Sequence, residues 1–350
     1  AVYPAAALVV LVGATDGGKR TQRFFRGHTD DVLCLAAHPE RRIFASGQKA
    51  FVRGGHSRSA PLLVWDSTAL PAAGEAPLAT LTGVHESAVT SVAFSADGGR
   101  LVSAGLDAMH TVALWDWQKG ECLLRTTSSP RAVRGVGFLL PRAPTDDGAD
   151  GGAAGDATGG GGSAEARVVV CGEKELRFGT ACQGLRWRKA VFGAQGELQT
   201  LPCVAVNSDG RVLTGTRRGE LYVWQGCRLW RRLPAHEDAL QAVSIAHAKE
   251  GETAGFATGG ADGVVLLWAA RYERLRAIDL NALCRRGGLL DAFGRPKLLP
   301  PARGVRVSAV CWDVGSRRLL VGTQHNEVVR LDLAEASGDA GVDGGADGAI

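Results

Sequence analysis

The chain has 350 residues, with 48 Gly, 45% of residues in the hydrophobic class and a formal net charge of +4. A sequence this apolar is not generally disordered, and glycines without a collagen period mark tight turns. The small cationic excess excludes the dense positive field of a dedicated nucleic-acid binder. The 8 cysteines form no CxxC pair. Cys34, Cys171, Cys203 and Cys311 lie in or beside apolar runs, so they read as reduced core thiols of a cytosolic protein. The clustered ligands of a structural zinc site are absent, and no metal or cofactor is expected.

Ala5–Val12 is an apolar run followed by Gly13, Asp16 and Gly17. It is too short for a membrane span and lacks the basic start of a signal peptide, so it reads as a buried strand. The chain opens at Ala1 without methionine and reads as a piece of something longer. Thr21–Phe25 is expected to be an outer strand. A first repeat runs from Gly27-His28 through Val32–Pro39 (VLCLAAHP) and Ile43–Gln48 (IFASGQ) to Leu62–Asp66 (LLVWD). Pro77–Leu81 reads as its outer strand. The second opens near His85 and continues through Val89–Gly98, Leu101–Gly105 and Val112–Asp116. A more worn third copy holds Val133–Leu139, Val168–Glu175 and Leu176–Gly179. The fourth has Leu201–Gly210, Val212–Thr216 and Glu220–Trp224. The fifth begins at Ala235-His236 and runs through Leu240–His247, Gly255–Gly263 and Val264–Trp268. Val305–Asp313, Leu319–Glu327 and Val328–Asp332 make the sixth.

Each unit is three short runs with period-two alternation, separated by Gly-rich turns. No clear helical segment separates the strands, which argues against βαβ units. Radially arranged four-stranded antiparallel sheets satisfy the pattern, so the fold class is all-β, a WD40-type β-propeller with six recognisable repeats. Six or seven blades close the ring, the seventh drawing on the N-terminal strand. The propeller is expected over residues 1–337. An insertion at about 141–163 (Pro141–Ser163) is too rich in Gly, Ala and Asp to order itself and reads as a mobile loop inside the third blade. A second insertion at about 271–299, containing LRAIDLNALC, has room for an outer strand and a short helix, and 338–350 is a flexible tail.

His236, Thr258, Asp262 and Trp268 have the spacing of a buried polar chain that pins a turn to its sheet. His85, Ser103, Asp107 and Trp115 repeat it, with two extra residues between Asp107 and Trp115. A hydrolytic triad would need one exposed hydroxyl and an oxyanion site. Here the trio recurs beside a Trp and no GxSxG elbow is present, so no catalytic residue is assigned. No GxxxxGK[ST] follows a strand, which leaves nucleotide binding unsupported.

The chain resembles the echinoderm microtubule-associated protein-like family, specifically the first propeller of its tandem-propeller region. The resembling stretches include Thr21–Pro39, Cys171–Phe178, Val212–Trp224, Ala235–Val243, Ala257–Trp268 and Leu319–Leu333. The resemblance implies a non-enzymatic partner of tubulin or microtubules that organises cytoskeletal or ciliary structures. It also implies other cytoskeletal or axonemal partners, a second propeller outside this chain, and residence in the cytoplasm, at the cytoskeleton or an axoneme. Neither nucleic acid nor a membrane is an expected partner. The alternative is a general interaction scaffold in another complex, and a hydrolytic enzyme has the least support. Gly179 stands where the family places a strand-ending Trp, which predicts an irregular third blade. In a propeller the turns between second and third strands share a face with the Gly-His turns. On that face Lys49, Arg53, Arg58, Arg217 and Arg218 are the candidate contacts to an acidic tubulin surface.

Overall fold

The computed structural model describes residues 2–14, 20–50, 52–53, 56–57, 59–69, 76–127, 131–140, 166–182, 184–247, 254–286, 290–291, 304–313, 315–325 and 327–333. They form seven blade sheets, so the seventh blade left open by the sequence is present. Repeats two to five are four-stranded sheets in sequence order, as in Val89–Phe94, Arg100–Gly105, Thr111–Asp116 and Glu121–Thr127. The first repeat follows the same plan with Ala79–Leu81 outermost, and an added hairpin, Val52–Arg53 with His56–Ser57, between its second and third strands.

The extra sheet is N-terminal and three-stranded: Val2–Ala5, Leu8–Ala14 and Arg20–Phe25. Ala6 O, just after its first strand, accepts from Val32 N–H at 2.9 Å. Thr216 O, just after the second strand of repeat four, accepts from Leu240 N–H in the same way at 3.0 Å. Val2–Ala5 therefore occupies a second-strand position and Arg20–Phe25 the outer one. No innermost strand joins this sheet among the described residues. The sixth repeat is also irregular, because its outer strand comes from upstream. Leu290–Asp291 pairs with Val329 and Arg330. The region expected as an insertion thus divides: Arg274–Asp279 is the outer strand of repeat five, Leu280–Arg285 is a short helix, and Leu290–Asp291 serves repeat six.

Burial explains why some strands are loud in the sequence. Second strands such as Ile43–Gln48 are buried on both faces, whereas the outer strand Arg228–Pro234 is mostly exposed. Inner strands start with a bulge in five repeats, at Val32/Cys34, Val89/Ser91, Val133/Gly135, Leu240/Ala242 and Val307/Ala309. Such bulges add local twist. Glycine at the end of a second strand has a steric cause: a Cβ on Gly172 would stand 2.1 Å from Ala132 O.

The third blade corrects the expectation of irregularity. Its sheet runs without a register shift from the second strand to the outer one. Repeats two, four and five instead shift register at the Trp itself, between Leu114/Trp115, Val223/Trp224 and Leu267/Trp268. Opposite Gly179 stands Trp187 of the outer strand, whose ring edge lies 2.8 Å from where a Gly179 Cβ would be. The indole has moved one strand outward, and the glycine makes room for it.

Pro141–Ser163 and the tail 338–350 lie outside the described residues. All eight cysteines are free thiols. Burial pushes Cys34 and Cys203 up to about 12, as suits core thiols. Cys311 departs from that expectation and is exposed.

Candidate docking face

Repeats one, two, four and five hold a Trp indole against a second-strand hydroxyl. Trp65 donates to Ser46 at 2.9 Å, Trp115 to Ser103 at 2.8 Å, Trp224 to Thr214 at 2.9 Å and Trp268 to Thr258 at 3.0 Å. In repeat five the expected chain is complete. His236 Nδ1 lies 3.1 Å from Asp262 Oδ2, and its Nε2 lies 2.9 Å from Thr258 Oγ1. Asp262 also accepts from the backbone of Glu237 and Val264, both at 3.0 Å. Burial alone would raise this carboxyl, but the hydrogen bonds from His236, Val264 and Glu237 outweigh it and hold it below the ordinary range.

Repeat two corrects the sequence reading. His85 Nε2 meets Ser103 at 2.7 Å, but among the described residues His85 Nδ1 has no hydrogen-bond partner. The longer turn carries Asp107 elsewhere, where it accepts from Thr111 N–H at 2.6 Å. Burial, only partly offset by the nearby Asp107 charge, pushes the His85 imidazole down to about 4. Repeat one holds a network the sequence reading passed over. His28 meets Gln48 Oε1 at 2.8 Å and Ser46 at 2.6 Å, a glutamine amide standing where an aspartate was sought. The hydroxyl-bearing residues Ser46, Ser103 and Thr258 are each 0% exposed, so these trios have no open path to a substrate.

The loops into the inner strands and the turns between second and third strands are bonded to each other. His236 N–H donates to Gly219 O at 2.8 Å, Lys49 N–H to Asp31 O at 3.1 Å, Glu173 N–H to Ala132 O at 2.9 Å and Gln324 N–H to Arg306 O at 2.9 Å. They therefore make one face, as the sequence argument requires. Gly219 has φ 84°, and a Cβ there would stand 2.1 Å from His236 O, so this turn admits only glycine without rearrangement.

Of the candidate cations, Lys49, Arg217 and Arg218 sit on this face without converging, since Lys49 belongs to repeat one and Arg217 and Arg218 to repeat four. Lys49 is paired with Asp31 at 2.8 Å, and that hydrogen bond raises its pKa. Arg218 is paired with Glu197. Arg217 is exposed with no ion pair among the described residues. Arg53 lies in the added hairpin, and Arg58 lies outside the described residues.

A second set of cations escaped the sequence reading. Lys174 sits in the turn between the second and third strands of repeat three, at φ 51°, and Lys189 ends its outer strand. Together with Arg131, Phe192 and Leu198 they line a cleft between repeats three and four. The available signal was the basic run LRWRK at Leu185–Lys189, echoed by RLWRRLP at Arg228–Pro234.

A family model described as WD domain, G-beta repeat, matches residues 19–53 and 75–116. The chain is 29% identical to Echinoderm microtubule-associated protein-like 1 of Homo sapiens, over 95% of this chain and 35% of that protein. It is 31% identical to Echinoderm microtubule-associated protein-like 3 of Mus musculus, over the same shares, 95% and 35%. It is 29% identical to Echinoderm microtubule-associated protein-like 2 of Rattus norvegicus, over 94% of this chain and 43% of that protein.

Proposed function

Because the chain fits a propeller region of echinoderm microtubule-associated protein-like proteins over 95% of its length, we propose that it is a microtubule- or tubulin-associated docking body. One observation carries this reading: the similarity extends over 95% of a chain whose described residues form seven blade sheets, rather than over a single repeat. The chain spans 35% of the length of the first relatives it matches, so a second propeller is part of the same proposal. The buried hydroxyls beneath Trp115 and Trp268 support a role without catalysis. A rigid face spares its side chains much of the positioning entropy that docking otherwise costs. The site of action is the cytoplasmic cytoskeleton, with axonemal structures as its finer form.

The test is co-sedimentation of the purified chain with polymerised tubulin, together with gel filtration against soluble tubulin. Saturable binding in either assay is the expected result. Absence of both for a folded chain would overturn autonomous tubulin binding and favour a scaffold in another complex. On the face itself, Arg217→Glu/Arg218→Glu is expected to weaken co-sedimentation and reduce its salt dependence. Unchanged affinity would remove the repeat-four turn from the dock.

A further inference from the structure

We propose that the cleft between repeats three and four takes an acidic, extended polypeptide segment carrying one bulky apolar side chain. The cleft measures about 440 Å³. Arg131, Lys174 and Lys189 stand on its walls, with Phe192 and Leu198 beside them. Glu175, the one carboxylate among its described lining residues, is paired with Arg177. Two further carboxylates nearby are also held by arginines: Glu173 by Arg134 at 3.1 Å and Glu197 by Arg218. Lys174 and Lys189 are exposed, and among the described residues no carboxylate pairs with either. A cleft whose described acids are already taken offers these two lysines to an outside anion.

The apolar part says what else the segment carries. Leu198 is 56% exposed at the edge of the cleft, and Phe192 is half-buried against Trp224, with ring centroids 5.0 Å apart. A leucine that open beside a fixed phenylalanine is a seat for one apolar side chain, flanked by cations for the acids on either side. The basic outer strands extend the field, with Arg186, Arg188, Arg228 and Arg231 all exposed.

A nucleic acid is the competing polyanion, and the aromatic geometry disfavours it. Single strands bind by stacking bases on free aromatic faces. Here the Arg211 guanidinium already covers the Trp230 ring at 4.3 Å, and Tyr272 meets the same ring edgewise at 5.9 Å. The Trp187 ring is turned into the space left by Gly179. The two indoles of the basic rim are therefore already covered, and charge rather than indole stacking is what its described residues offer.

This inference deepens the docking proposal and rests on it only for tubulin as the source of the segment. The probe is a fluorescein-labelled twelve-residue glutamate-rich peptide with one central phenylalanine, titrated by anisotropy against the whole chain at several salt concentrations. The same peptide with serine for phenylalanine and an oligothymidylate of equal charge are the controls. Expected are saturable binding, a loss of at least about tenfold for Lys174→Glu/Lys189→Glu with a smaller salt slope, and loss of the phenylalanine preference for Leu198→Asp. Circular dichroism melts confirm that both variants fold, and Lys174→Gln/Lys189→Gln is a milder second variant. Equal binding by wild type and both lysine variants would overturn the cleft. Equal or tighter oligothymidylate binding, lost in the same variants, would replace the peptide with a nucleic acid. Peptide binding without tubulin co-sedimentation would sink the tubulin reading alone, whereas co-sedimentation without peptide binding would sink the cleft alone.

Discussion

Asp262 shows how much one side chain can hold when its turn has the right length. Its carboxylate takes the His236 imidazole and two backbone N–H groups, while Asp107 in the equivalent turn of repeat two reaches, among the described residues, only Thr111 N–H. Removing Asp262 leaves several partly buried donors unpaired. Asp262→Ala is therefore expected to cost roughly 1–3 kcal/mol in a urea melt, and Asp107→Ala less. Equal losses would show that the His–Asp link contributes nothing. His85 supplies the complementary test. Its folded pKa, near 4, lies below the ordinary histidine value of 6.5, because burial disfavours the charged ring. The neutral ring's contribution is thus fully present above pH 6.5 and is lost as pH falls toward 4, with a total on the order of 3 kcal/mol. His28, lowered by burial in the same way, adds to the slope. Melting temperatures between pH 7.5 and 4.5 should fall less steeply for His85→Gln than for the wild type. Parallel slopes would contradict the assignment.

Within a blade, the displaced indole of repeat three makes a coupling prediction. Space for Trp187 exists because position 179 has no side chain, and a Cβ there would stand 2.8 Å from both Trp187 and Leu185. Gly179→Ala should destabilise the wild type but cost less in a Trp187→Ala background. A coupling energy of about 0.5–3 kcal/mol is expected from denaturant melts of the double-mutant cycle. Strict additivity would mean that the glycine is not there for the ring. The same blade bounds what its insertion does. Phe138 pairs with Val168, and Leu139 N–H donates to Arg167 O at 2.8 Å, so the two ends of the long connection already stand at hairpin distance. Replacing Pro141–Ser163 with a short Gly/Ser turn is expected to leave the melting temperature within a few degrees of the wild type, because closure entropy varies slowly with length.

These cases also show where the sequence was legible. Buried second strands such as Arg167–Gly172 must be apolar throughout, and their glycines must admit a neighbouring carbonyl, so both leave a pattern. Outer strands face water and need no alternation, which hid Leu185–Lys189 and its cations. Leu290–Asp291 is two residues long and pairs with a strand nearly forty residues away, a contact no local pattern encodes. Gln48 was missed because an amide did the work expected of a carboxylate.

Across the whole ring, apolar cores join successive blades. Phe25 and Trp65 link the N-terminal sheet to repeat one, Leu62 and Trp115 repeats one and two, and Val112 and Val168 repeats two and three. Leu176 and Trp224 join repeats three and four, Leu221 and Phe256 four and five, and Val265 and Val307 five and six. Among the described residues no such core joins repeat six to the N-terminal sheet. Around that junction Leu33 on the inner strand of repeat one is 40% exposed, and Cys311 on that of repeat six is also exposed. A unit held by fewer buried contacts opens at lower free energy than the rest. Native-state hydrogen exchange should therefore show Val2–Ala5 and Val307–Trp312 protected at least about tenfold less than Arg100–Gly105 and Val212–Gly215. Uniform protection would mean that the ring opens only as one unit. In ring order the cleft between repeats three and four lies far from this seam, with three junctions between them on one side and two on the other. A docking site there keeps its geometry while the seam exchanges. Peptide affinity is accordingly expected to hold at urea concentrations where the seam amides already exchange freely, and a parallel loss of both would place the cleft in the same cooperative unit as the seam.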